Sequence, residues 1–259
     1  MLGFFSLNYY IILMKSKRKQ ILAYAMKYNG EYHKIKKAIQ QQEPYEEFIY
    51  HGNYICIEDE DYPKELYELQ NPPFILFYKG DIRILKREGI TVIGTRNMSD
   101  VGKAYCDLVN IHLPSHYAII SGLAMGVDGY IHTCALKKRK TIAVIGCGID
   151  YIYPYAHKDL YKEIAEKHLL LSEYPAVTKP FAHHFPWRNR LLAALSQALI
   201  IIEAKQKSGT MLTVNYALTL NREIYCFPHN LMNKTGGGCN ALIREGANVF
   251  VDAEDIADL

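Results

Sequence analysis

Glycine and hydroxyl side chains gather after apolar runs at five places: Gly94-Thr95-Arg96-Asn97 with Ser99, Ser121-Gly122 to Gly126-Val127-Asp128, Gly146-Cys147-Gly148, Ser208-Gly209-Thr210, and Thr235-Gly236-Gly237-Gly238-Cys239-Asn240. Glycine lets backbone N–H groups close on an anion with no Cβ in the way. Helix N-termini add unpaired donors and partial positive charge. Ser99, Ser121, Ser208 and Thr210 add hydroxyl donors, and Arg96 adds a planar fork that suits phosphate. If these loops share one edge of a sheet, that edge binds phosphate. A dinucleotide cofactor is disfavoured, because a G-x-G-x-x-G run from Gly146 needs glycine at 151 and has Tyr151, and the 94–99 loop GTRNMS does not fit the pattern either. The chain has neither a G-x-x-x-x-G-K-[ST] loop nor a G-x-S-x-G elbow.

A second constellation is FAHHFPWRNRLLAALSQALIIIEA, residues 181–204. Lys179, Arg188 and Arg190 supply positive charge, Phe181, Phe185 and Trp187 flat faces, and Asn189 an amide for a base edge or a helix cap. Charge for phosphates and rings for unstacked bases are what a single strand of nucleic acid requires. The rings could equally pack the core, with the arginines in salt bridges. Anion contact is the preferred reading of the basic residues, since they should fall near the glycine loops. Nothing pairs His132, His183, His184 or His229 with a nucleophile by spacing. His183 and His184 are adjacent, so their rings are expected to diverge, and no metal or cofactor is expected. Asp128 and Glu203 are explained as well by capping as by acid–base chemistry.

The elements that must position these residues follow from the apolar pattern. Short apolar runs at 74–78, 89–94, 117–121, 141–146, 169–172, 198–203, 223–227 and 248–252 alternate with helix-period stretches near 101–113, 127–138, 157–167, 187–195, 209–220 and 239–245. Continuous apolar strands separated by helices predict a doubly wound α/β fold, a mostly parallel Rossmann-like sheet covered on both faces. In such sheets ligands sit beyond the carboxyl ends of the strands. A small helical appendage precedes it, broken at Asn29-Gly30. The expected division is a basic helical segment over 1–60 and a Rossmann-like domain over 61–259.

Residues 1–42 carry eight Lys/Arg against Glu31 alone, +7 of a net +3 for the 259-residue chain, so the remainder is −4. A polyanion must then be met by a focused patch. Lys15, Lys17, Arg18 and Lys19 read more as a solvated helix face than as an extra DNA contact. Six cysteines without C-x-x-C or zinc spacing imply reduced thiols and a cytoplasmic protein. MLGFFSLNYYIILM lacks the marks of a signal peptide and is too short to span a membrane; Met14 is the preferred start.

The motifs GTRN (94–97), SGLAMGVDGYIH (121–132), TIAVIGCGIDYIYP (141–154), LLLSEYP (169–175), FPWRNRLLAALS (185–196), IIIEA-x₃-SGT (200–210) and GGGCNALIREGA (236–247) together resemble the DNA-processing protein A family, also called Smf. The resemblance spans about residues 62–252. It implies an extended Rossmann-like domain that binds single-stranded DNA without sequence preference, forms homodimers and loads RecA recombinase onto incoming strands in natural transformation, without being an enzyme. The family's Gly-Ser-Arg loop falls on Gly94-Thr95-Arg96, with threonine keeping the hydroxyl. Ser121 and Gly122, Lys179, Arg188 and Arg190, and Ser208, Gly209 and Asn240 are the other implied contacts, with Phe185 as the stacking ring and Asn189 and Thr210 beside them. The C-terminal winged-helix-like domain of many members is not expected here, because the last strand ends just before Leu259. Two alternatives stay open: a nucleotide-hydrolysing enzyme of the related superfamily, disfavoured because the glutamate of its P-G-G-x-G-T-x-x-E motif is missing from SGTMLTVN (208–215), and a sensor of a small phosphorylated ligand.

Overall fold

The computed structural model describes residues 17–176 and 178–259. The choice between Met1 and Met14, and Lys15, lie outside the described residues. Helix α1 covers 17–27 and α2 Tyr32–Gln40, parted by Asn29 and Gly30 at positive φ. Then come β1 (Asn53–Cys56), β2 (Ile75–Gly80), β3 (Gly89–Ile93), α3 (Asp100–His112), β4 (Ala118–Ser121), α4 (Val127–Ala135), β5 (Thr141–Ile145), α5 (Lys158–Lys167) and β6 (Leu169–Ser172). The chain continues through α6 (His184–Ala194), β7 (Ala198–Ile201), α7 (Gly209–Thr219), β8 (Glu223–Cys226), α8 (Gly237–Arg244), β9 (Asn248–Val249) and α9 (Glu254–Ala257).

These strands form one nine-stranded sheet in the order β1-β2-β6-β5-β4-β3-β7-β8-β9. It is mostly parallel, and only β1–β2 and β2–β6 are antiparallel. The central strands β3 to β7 are buried along their whole length and mostly apolar because both faces are covered. Along β5, Ile142 and Val144 face the layer of α6 and α7, while Ala143 and Ile145 face that of α1, α2 and α5. Along β7, Ile200 joins α3 and α4 while Leu199 and Ile201 join α6 and α7.

The N-terminal helices are built into this core: Ile21, Leu22, Tyr24, Ala25, Ile35 and Ala38 pack with Phe77, Ile145 and Leu170. The 1–60 segment, for which no strand was expected, also supplies β1, whose Asn53–Cys56 pairs Tyr78–Ile75 as an edge strand. The chain runs outward from β3 through β4, β5 and β6 on one side, then returns through α6 to β7 on the other. The order therefore reverses at β3 and β7, and a crevice opens beyond their carboxyl ends. No helix among the described residues is long and apolar enough to cross a membrane.

Candidate nucleic-acid interface

At this switch point lies an open cleft of about 640 Å³. Its walls come from the loop after β3 (Gly94, Thr95, Arg96, Asn97), the start of α6 (Phe185, Arg188, Asn189) and the start of α7 (Ser208, Gly209, Thr210). The backbone sets their positions. Thr95 N–H donates to Glu203 O (2.7 Å) and Val127 N–H to Thr95 O (3.1 Å), which ties β3, β7 and α4 together under the loop. Gly126 holds φ +77°, and a Cβ there would stand 2.3 Å from Thr95 O. Gly209 has open space where its Cβ would be, so a ligand can approach the first turn of α7.

Arg96 is exposed on the wall, with its guanidinium 5.9 Å from the centre of the half-buried Phe185 ring. Tyr153 lies 5.6 Å from Phe185. A cation and two rings thus border the cleft together. Lys205 also lines it and is exposed. Sequence reasoning missed Tyr153 and Lys205; the aromatic Ile152-Tyr153-Pro154 and the cation beside Ser208-Gly209-Thr210 were the available signals.

Nine of the fourteen expected site residues line this cleft: Gly94, Thr95, Arg96, Phe185, Arg188, Asn189, Ser208, Gly209 and Thr210. Arg188 differs from its expected role. It is buried, and Nη1 donates to Gly122 O (2.9 Å) and to Val144 O, so its charge forms the floor and not a free arm. Burial pulls its pKa down, opposed by the Asp128 carboxylate. Burial pushes Asp128 up, opposed by Arg188 and by N–H groups of Gly94, Gly122 and Ala124. Asn189 Nδ2 donates to Gly209 O (3.3 Å), linking α6 to α7. Ser208 Oγ donates to Lys205 O (2.9 Å).

The other five sit apart from this wall. Ser121 is fully buried and donates to Val92 O (2.7 Å), inside the sheet. Gly122 borders a small neighbouring recess with Arg96 and Phe185, between Arg188 and Asp128. Lys179 is exposed but outside the cleft lining. Asn240 has both ends of its amide on the His229 backbone, accepting from N–H (2.9 Å) and donating to C=O (2.8 Å), and so pins the loop before α8.

Arg190 is the clearest correction. It is buried in a two-pronged ion pair with Glu173, at 2.5 and 2.6 Å, and turned away from the cleft. Trp187 is likewise packing, since it stands 5.3 Å from Tyr32 with the Arg190 guanidinium 4.1 Å over its ring. Trp187 and Arg190 of the aromatic-basic cluster thus clamp α2 onto α6.

Glu203 at the end of β7 is buried, which alone would raise its pKa, yet donors outweigh burial and lower it. Thr235 Oγ1 donates to it, as do Ser99 N–H (2.9 Å), Ser99 Oγ (3.0 Å) and Asn233 Nδ2 (3.3 Å). It is a fully engaged knot between loops, not a free base.

A sequence model of the DNA recombination-mediator protein A family matches residues 53–259. The DNA processing protein DprA of Bacillus subtilis is 41% identical over 211 residues, covering 79% of this chain and 70% of that protein. The DprA of Streptococcus pneumoniae is 39% identical over 199 residues, covering 76% and 71%. Its crystal structure superposes with a TM-score of 0.79 at 32% identity over 97% of each chain. The DprA structure from Helicobacter pylori, described for its mode of binding single-stranded DNA, gives 0.73 at 32% identity over 80% of this chain and 95% of that one. With the switch-point cleft and its glycine loops, these likenesses establish that the chain belongs to the DNA recombination-mediator protein A family of DNA-processing proteins.

Proposed function

We propose that the cleft grips single-stranded DNA and presents it to RecA recombinase during natural transformation. The observation that carries this reading is the grouping of Arg96, Phe185 and Tyr153 on one wall, facing the open first turn of α7 and Lys205. Arg96, Lys205 and the α7 N–H groups meet phosphates, while the rings take unstacked bases, an arrangement indifferent to sequence. The likeness to the Helicobacter pylori protein, whose structure concerns single-stranded DNA binding, supports it. Binding without catalysis fits the engagement of Glu203 by four hydrogen bonds.

Fluorescence anisotropy of a labelled poly-dT oligonucleotide, over a salt series with a duplex control, tests this reading. Wild type should prefer the single strand and weaken steeply with salt. Arg96→Ala should flatten the slope of log K against log salt by about 0.7, and Phe185→Ala should cost about 1–3 kcal/mol. Equal affinity for duplex and single strand would contradict the proposal. RecA loading is tested by adding the protein to poly-dT before RecA and following filament growth, and self-association by sedimentation equilibrium, where a homodimer is expected.

A further inference from the structure

The adjacent histidines at the start of α6, expected to diverge, converge on one atom. His183 Nε2 lies 3.1 Å and His184 Nε2 3.3 Å from the same oxygen, Glu31 Oε1 in the turn between α1 and α2. The three donor atoms all lie within 4.8 Å of one another. We propose that Glu31, His183 and His184 form a binding site for a zinc-class divalent metal ion that clasps the N-terminal helices to the start of α6.

Three features carry this. The first is spacing. Donors on bonds of about 2.0–2.1 Å at tetrahedral angles stand roughly 3.3 Å apart, close to the separations seen from Glu31 to each histidine. Two imidazoles and one carboxylate form a known zinc donor set that leaves a fourth position for water.

The second is the state of His184. Its ring is buried and stacked on Tyr174 at 3.8 Å, so its orientation is fixed. In the tautomer that donates from Nε2 to Glu31, the buried Nδ1 is left without a partner. With a metal on Nε2, the ring proton moves to Nδ1, beside the Gly146 backbone, and the orphaned atom becomes a donor.

The third is access. His183 is exposed and Glu31 partly so, which leaves an open side for the ion and its water. The site has a structural consequence, because Phe185 on the cleft wall follows His184 directly. Metal binding would fix the entry of α6 and thereby that wall.

The test uses tag-free, chelator-treated protein and zinc or cobalt ions alone. Competition against a chromogenic zinc indicator should give one equivalent of zinc per chain, weakened at least tenfold in both His183→Ala and Glu31→Gln. These substitutions are at accessible positions and spare the buried His184. His116→Ala, remote in sequence and paired with Glu88, should bind like wild type. Cobalt should give the visible absorption of a tetrahedral site, lost in the same two variants. No zinc uptake by folded wild type, or uptake unchanged in both variants, overturns the proposal.

Discussion

Arg190→Ala separates a structural arginine from a DNA-gripping one. Arg190 and Glu173 side chains are 3% and 5% exposed and joined by two hydrogen bonds of 2.5 and 2.6 Å. Arg190 also donates to Trp187 O (3.1 Å) and Asn71 O (3.3 Å), and its guanidinium covers the Trp187 ring. Removing it strands a carboxylate in the core, which costs about 3–5 kcal/mol. For a chain of this size each kcal/mol lowers Tm by about 2 °C, so a fall of about 6–10 °C is expected. Replacing both partners with apolar residues of similar volume, Arg190→Met with Glu173→Leu, removes the stranded charge and should restore most of the loss. Calorimetry and poly-dT anisotropy on the single and double variants form the assay. The double variant should bind DNA like wild type. The reasoning is refuted if Arg190→Ala keeps its Tm while its affinity falls about tenfold or more, an effect of roughly 1.4 kcal/mol.

Gly126→Ala should cost about 1–3 kcal/mol and weaken poly-dT binding, because its methyl meets the Thr95 and Arg96 backbone at φ +77°; Gly209→Ala, with open space at its Cβ, should leave Tm unchanged. Asn240→Ala should cost about 1–3 kcal/mol through the two lost bonds to His229, read as a lower denaturant midpoint. The folded-state pKa of Glu203 is depressed, so its contribution is present above about pH 4.3, the ordinary glutamate value, and is lost as pH falls through the folded value. Urea midpoints from pH 7 to 3 should therefore fall less steeply in Glu203→Gln than in wild type.

The sheet was legible because its central strands are buried on both faces and are therefore mostly apolar. Strand β1 was not: Asn-Tyr-Ile-Cys is four residues long, mixed in polarity and antiparallel at the edge. The glycine loops were legible as a set, since the switch point needs close backbone approach at Gly94 and Gly126. The arginines were harder to read. Residues two apart on a helix point about 200° apart, so Arg188 and Arg190 cannot both face the cleft. Which one does depends on the rotation of α6, set by Leu191 and Leu192 against the sheet and by Thr91 Oγ1 donating to Leu192 O (2.8 Å). Trp187 was ambiguous for the same reason, because its partner Tyr32 lies 155 positions earlier in the chain. The convergence of His183 and His184 required the turn at Asn29-Gly30, which brings Glu31 to them.

The central claim is that a DNA strand lies in the β3–β7 cleft against Phe185 and Tyr153. The most direct measurement is photocrosslinking of an oligonucleotide carrying 5-iododeoxyuridine, with the attached peptides identified by mass spectrometry. Adducts on Phe185 or Tyr153, competed away by unlabelled poly-dT and reduced in Arg96→Ala in step with its weaker binding, are predicted. Adducts confined to the N-terminal helices or to the α7–β8 side, with Phe185 and Tyr153 unmodified, would contradict the account.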